Sequence, residues 1–473
     1  MKIGSMFVVL VLLFSGALAG TSHAIQAKTE THSGSPMLLE AVGKTVFFRA
    51  SNGAYRKELW KSSGTRSSTV LVKDINPTDC PGGCRGEWGR PGSFTNVGGL
   101  VFFIAAEDGH DFEVWRSDGS EQGTVRLTDL RERGGILGPT SLTAMNGMLF
   151  FSAYDGEIRR ELWRSDGTVE GTVMVKDINP KRHGGSSTRQ LTKVGNTLFF
   201  TARDGSHGSD VQLWKSDGTA EGTEMVADIT PGEDSSFIHS LTNLNGTLFF
   251  VHGTQLWKSD GTSEGTVMVK DFTLPTSASG LPSPRFMKVS GELYFSANDG
   301  VHGSELWKTD GTGRGTTMVR DINRTGPSFA TPLGVAKGML FFAANDGGHG
   351  FELYRTTESG HGAALVKDIW RGEGNGLTAR KQTVFTEAEA VGKTLVFVAD
   401  DGTRGQELWR TDGTRAGTRI VADIRRRGNA TPKWLTNARG RLFFSAYTPR
   451  DGRELWISDG TAAGTTLVRD IWR

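Results

Sequence analysis

A single phrase, Glu-Leu-Trp-(Lys/Arg)-(Ser/Thr)-Asp-Gly-Thr and its near-copies, recurs about every 50 residues along this chain and leaves few folds open to it. The copies carry Trp60, Trp115, Trp163, Trp214, Trp257, Trp307, Trp409 and Trp456, and Tyr354 stands at the Trp position of one further copy, which makes nine. That period matches the blades of a β-propeller and is too long for most solenoid repeats. A chain of 473 residues would ordinarily divide into two or three domains. A fixed period argues instead for one, because each repeat buries its apolar face only against its neighbours.

The third repeat shows how one unit is built. Ser141–Met145 reads as a first strand and Asn146-Gly147 as a tight hairpin turn, because a type I′ turn needs positive φ at both central residues. Met148–Ala153 reads as a second strand. This strand is apolar almost without interruption in many copies, as at Leu198-Phe199-Phe200 and Leu442-Phe443-Phe444, the pattern of a central strand covered on both faces. A polar hairpin of the form Ala-x-Asp-Gly-x-x-Gly leads to the Glu-Leu-Trp strand. The Ser-Asp-Gly-Thr-x-x-Gly-Thr connection then leads into Met-Val-Lys-Asp-Ile, with Asp closing an Asx turn and Gly taking the positive φ. Four antiparallel strands per repeat without helix signals describe a propeller blade, so the expectation is an all-β ring of nine four-stranded blades, the alternative being eight blades and one degenerate repeat. Repeat five, with its short hairpin His252-Gly253-Thr254, and repeat seven, which has lost both Trp and Asp-Gly-Thr, are where a seam or an irregular blade is expected if the ring has one.

The phrase at Glu161–Thr168, Glu305–Thr312, Glu407–Thr414 and Glu454–Thr461 resembles the bacterial ELWxxDGT repeat family, and the repeats cover residues 36–473. The resemblance implies an exported or cell-surface propeller. It brings no catalytic residues with it.

The N-terminus stands outside the period. Lys2, the apolar run Phe7–Phe14 and the small-x-Ala sequence Ser22-His23-Ala24 have the layout of a secretory signal over residues 1–24, followed by a linker over 25–35. The expected location is therefore the cell surface, the periplasm or the medium. The two cysteines, Cys80 and Cys84, are expected to form a short local disulfide in an exported chain; half of a metal site or a redox pair are the alternatives, without a second Cys pair or a nearby His to complete a set. Net charge is +2, which gives no electrostatic case for nucleic acid or for an anionic membrane.

Candidate chemistry is sparse. No nucleophile elbow, Walker sequence, His-Glu-x-x-His or nucleotide fingerprint occurs, so neither a cofactor nor a metal is implied. The fourth-strand Asp recurs in every repeat (Asp74, Asp129, Asp177, Asp228, Asp271, Asp321, Asp368, Asp423, Asp470). Nine carboxylates around a channel is one reading. Local hydrogen bonding within each blade is the expectation, since an enzyme needs an asymmetric cluster of distinct roles. His110, His207, His302 and His349 share one hairpin position in four repeats and are expected to be spread around a rim as solvated turn residues.

What varies is the set of long connections between repeats, and variable loops on a repeating scaffold are where binding sites are usually carried. They, with the start of the strand that follows the last of them, hold Arg85, Trp88, Arg182, His183, Trp370, Arg371 and Trp434, an Arg and Trp enrichment typical of contact surfaces. Connections after strands two and four fall on one end of the ring, so that end is the expected binding face, with the Cys80–Cys84 loop, Trp88 and Trp370 foremost. Two readings of function remain open: a non-catalytic exported scaffold that binds a protein or glycan, or a propeller enzyme (a glycan lyase, a hydrolase or a quinone-dependent dehydrogenase) acting at the channel mouth.

Overall fold

The computed structural model describes residues 33–53, 57–77, 89–107, 111–130, 138–154, 160–180, 185–206, 211–229, 238–272, 285–377, 379–380, 383–384, 386–426 and 428–472. They form nine four-stranded antiparallel sheets, each built from consecutive strands in sequence order, arranged as a ring. Among the described residues there is no helix. Blade 3 is representative, with strands Thr140–Met145, Met148–Tyr154, Arg160–Ser165 and Val173–Lys176. Each blade runs from the strand with the Leu-Thr signature or its counterpart to the Met-Val-Lys-Asp strand or its variant, as the repeat predicts. First strands of neighbouring blades pack against one another, so the first strand is innermost and the fourth outermost.

Nine hydrophobic clusters hold the ring, one at each joint between blades. At the joint of blades 2 and 3, Phe102 and Val114 meet Leu149, Phe151 and Trp163. The motif Trp is thus the filler of the face turned toward the preceding blade, and it stacks on the Phe beside it in its own sheet, with Phe151 and Trp163 centroids 6.3 Å apart. The joint of blades 9 and 1 has the same composition, with Phe443, Leu455 and Ile457 against Val46, Phe48 and Trp60.

Polar contacts repeat with the same period. The fourth-strand Lys of one blade donates to a Thr carbonyl of the next, as from Lys73 to Thr124 (3.1 Å), Lys176 to Thr223 (2.6 Å) and Lys367 to Thr418 (2.7 Å). Arg469 of blade 9 does the same to Thr69 of blade 1. Within the turns, Asp166 Oδ1 accepts from the backbone N–H and the hydroxyl of Thr168, at 2.8 and 2.7 Å. The second Gly of the phrase has a plain steric reason, because a Cβ on Gly171 would collide with the Asp166 carboxylate.

The irregular repeats turn out to be ordinary blades. Blades 5 and 7 each have four strands, and Tyr354 takes the Trp position of blade 7 with its hydroxyl donating to Asp346 (2.9 Å). The ring closes between blades 9 and 1 instead. Blade 1, where Ser63 replaces the turn Asp, packs on a neighbour on each side like the other blades.

Candidate binding face

The motif Glu organises the end of the ring where the long connections lie. In blade 6, Glu305 Oε2 accepts from the backbone N–H of Ile322 (3.1 Å), while Oε1 accepts from that of Ser328 (2.9 Å), at the start of blade 7. Glu161, Glu352 and Glu407 make the equivalent pairs with Ile178 and Ser186, Ile369 and Gly376, and Ile424 and Ala430. Glu454 repeats the pattern across the closure, accepting from Ile471 (3.0 Å) and from Gly34 (2.5 Å). The segment before blade 1 thus plays for blade 9 the part that each inter-blade connection plays elsewhere. Ser35 N–H to Arg453 carbonyl and Ser51 N–H to Gly34 carbonyl complete the match.

The fourth-strand Asp keeps to local bonds within its own blade, as expected, at Asp129 and Asp271. Backbone N–H groups go to the motif Glu, whereas Asp129 pairs with Arg126 (3.1 Å) and Asp271 accepts from the Thr254 hydroxyl (3.0 Å). The Oδ1 atoms of Asp321 and Asp368 are buried without a hydrogen bond. Nor do these carboxylates surround a channel, because the fourth strand is outermost. The Glu was legible in principle, since the position before Leu-Trp carries Glu in seven copies and Gln in the other two, Gln212 and Gln255, and an apolar strand retains a carboxylate there only for a partner.

Burial, with the neighbouring fourth-strand Asp adding to it, pushes Glu58, Glu352, Glu407 and Glu454 up to about 8 and Glu161 to about 7, against the opposing pull of the N–H donors. The sign for stability follows. A carboxyl whose folded pKa lies above its unfolded value, near 4.5, holds more protons folded than unfolded between the two, so unfolding free energy falls as pH rises through that window. The turn carboxylates of Asp166, Asp217 and Asp260 are held below the usual range by the Thr two residues on, and their contribution is lost only as pH falls below about 4. The melting temperature is therefore expected to peak near pH 5 and to decline toward pH 8.5. Calorimetric scans at constant ionic strength check this, and a flat or rising profile from 5.5 to 8.5 would contradict it.

His302 and His349 lie within their own blades' acids rather than apart from them. Each Nδ1 sits on the hairpin Asp, at 2.7 Å from Asp299 and 2.8 Å from Asp346, and these pairs raise both imidazoles above the ordinary value. The rim placement across separate blades is as expected; the bond to Asp is what the sequence spacing did not reveal.

Of the candidate contact residues, Cys80, Cys84, Arg85, Trp88, Arg182 and His183, like His110 and His207, lie outside the described residues. Trp370, 39% exposed, lies on the hairpin of blade 8, where a Cβ on Gly402 (φ +77°) would stand 2.7 Å from the indole. Trp472 covers Gly53 of blade 1 in the same manner, so the Asp-Ile-Trp sequences at 368–370 and 470–472 serve as joints as well as surface. Arg371 is exposed. The connection that follows contains a small hairpin, Ala379–Arg380 with Thr383–Val384.

Trp434 is placed differently. It sits on the innermost strand of blade 9, Lys433–Ala438, at a bulge that recurs in the first strands of several blades. Leu38, Ser93, Ser141, Gln190, Ser240 and Trp434 each precede the Leu-Thr position or its counterpart with φ between 54° and 60°. Positive φ in a bulky residue is costly, and such residues gather at functional sites. Glu387 of blade 8 fixes the turn by accepting the Leu435 N–H (3.1 Å), leaving the indole 38% exposed. The structure does not bring Trp434 and Trp370 together, the one being innermost and the other at an outer joint.

No protein-family model matches the chain, and no curated protein does. Among solved structures, a puromycin hydrolase is 15% identical, with 76% of this chain and 58% of that one covered and a TM-score of 0.38. A prolyl endopeptidase is 11% identical (78% and 54%, TM-score 0.41), and a puromycin-hydrolyzing peptidase of Mycobacterium tuberculosis is 14% identical (76% and 57%, TM-score 0.39). The chain spans between 54% and 58% of the length of these proteins.

Proposed function

We propose that this chain is an exported propeller of the ELWxxDGT repeat type that acts as a binding or adhesion scaffold for a protein or glycan at the cell envelope. The observation that carries the reading is where the repeated and the unrepeated residues go. The motif Trp, Glu, Lys, Asp, Gly and Thr are largely spent on inter-blade joints and turns, so the ring is a rigid frame. Its exposed large aromatics among the described residues are two tryptophans, Trp370 and Trp434, both at the end of the ring that collects the long connections. An indole with one open face stacks on sugar rings or anchors a protein contact, and the bulge that holds Trp434 is shared by five other blades, so what sets blade 9 apart there is the exposed indole itself.

Trp434→Ser installs the residue found at the same bulge in blades 2, 3 and 5. Its melting temperature is expected to equal or slightly exceed that of the parent, while binding on a glycan array and to a cell-envelope extract falls at least tenfold. Binding that survives both this change and Trp370→Ala, yet is lost when the Asn146-Gly147 end carries Glu substitutions, would place the surface on the opposite end.

A further inference from the structure

At most joints of the ring a fourth-strand cation of one blade covers the motif aromatic of the next. Lys73, Lys270 and Lys367 stand over the rings of Trp115, Trp307 and Trp409, at 6.0, 4.7 and 5.6 Å from the ring centroid. Each ammonium also donates to a Thr carbonyl of that next blade, at Thr124, Thr316 and Thr418. Lys176 and Arg469 make the same bond to Thr223 and Thr69, and Arg320 reaches the Ala363 carbonyl of blade 7. At these six joints the aromatic is sealed: Trp60, Trp115, Trp214, Trp307, Tyr354 and Trp409 are between 2% and 7% exposed.

Two joints lack the cation and leave the indole open. Blade 4 carries Ala227 and blade 8 carries Ala422 where the cation would stand. The indoles that follow, Trp257 of blade 5 and Trp456 of blade 9, are the two motif aromatics that are half-buried rather than buried. Ala227 packs into the same joint as Trp257, so a methyl group occupies the place that a four-carbon stem and its ammonium take elsewhere. Among the described residues no cation lies over either ring. The carbonyls of Thr266 and Thr465, counterparts of the acceptors above, likewise receive no side-chain donor there. Asp228 and Asp423 directly follow the two alanines and favour a positive charge beside them. Blade 2 also lacks the cation, at Thr128, but Trp163 beyond it is 4% exposed and offers no open face. The vacancy is therefore confined to the joints of blades 4 and 5 and of blades 8 and 9.

We propose that these two joints are receptor slots for lysine side chains of a partner protein, each seating an ammonium on the indole of Trp257 or Trp456 and against the carbonyl of Thr266 or Thr465. The ring itself shows what fits, because four of the six cations that close the other joints are lysines. A lysine stem covers apolar surface while its head keeps a polar partner, and an indole is the best aromatic face for a cation. Each slot alone is weak, with Kd on the order of 10⁻³ M, since one cation–π contact and one hydrogen bond must offset lost freedom of motion. Neither Trp370 nor Trp434 takes part, so the slots stand or fall independently of that surface.

Indole N–H resonances of the nitrogen-15-labelled full chain, assigned with Trp257→Phe and Trp456→Phe, provide the test. Nα-acetyl-lysine N-methylamide at millimolar concentration is expected to shift the Trp257 and Trp456 signals and to leave those of the sealed Trp115, Trp307 and Trp409 in place. n-Butanol, which has the stem without the charge, is expected to act at least tenfold more weakly. Ala227→Lys, which installs the residue of blades 1, 3, 5 and 7, is expected to raise the melting temperature and to abolish the response of Trp257 while keeping that of Trp456; Ala422→Lys is expected to do the reverse. No shift at either indole, equal action of n-butanol, or a response that survives its own Ala→Lys change would each overturn the proposal. n-Butylammonium binding at least tenfold more tightly than the lysine derivative would also overturn it, by making a free amine the ligand.

Discussion

Trp163→Ala is expected to lower the unfolding free energy by about 3 to 5 kcal/mol, the range for emptying a large aromatic site in a packed core. The side chain is 4% exposed and fills the joint of blades 2 and 3 against Phe102, Val114 and Leu149, and it stacks on Phe151. Removing it opens a cavity between two sheets that have no covalent reason to close. Asp166→Ala, three residues on, is expected to cost about 1 kcal/mol, since it forfeits an exposed Asx turn and no packing. Denaturant melts of the two variants in parallel make the comparison. Equal losses would mean that the joint repacks around the missing indole and that the Trp is not the element holding blades together.

The second large effect is expected at the closure. Glu454 receives the N–H of Gly34 and of Ile471, both buried, so Glu454→Ala leaves two donors without an acceptor at about 1 to 3 kcal/mol each. The seam has no shared strand to compensate, because blade 9 and blade 1 are each complete in themselves. We therefore expect a loss of about 2 to 5 kcal/mol together with faster proteolysis of the segment at Ser33–Ser35. Glu454→Gln, the residue that blades 4 and 5 use at this position, keeps an acceptor and is expected to cost less than half as much. It is also expected to reduce the decline of stability between pH 5.5 and 8.5, because it removes one of the raised carboxyls. An Ala variant no weaker than the Gln variant would show that the closure rests on its apolar contacts alone, namely Trp60 and Val46 against Phe443 and Leu455.

These two expectations separate what a repeat makes legible from what it hides. Blade number, blade boundaries and the burial of the motif Trp follow from the phrase itself, since a strand pattern that returns every 50 residues or so can bury its faces only by stacking on copies of itself. The Asp-Gly-Thr turn was equally readable, because its hydrogen bonds run between residues two or three apart and depend on nothing distant.

The position of the seam was not readable in this way. Repeats five and seven look degenerate in sequence, yet Tyr354 and Asp346 restore a packed joint with a different pair of side chains, and closure falls instead where Gly34 meets Glu454, 420 residues apart. The work of the motif Glu was hidden for the same reason, since its partners lie on the connection to the next blade and only the fold brings them within 3 Å or so. By itself the sequence determined the unit and its count, through contacts local to one repeat; the tertiary structure alone decided which polar groups meet, because meeting across a joint depends on the geometry of the closed ring rather than on spacing along the chain.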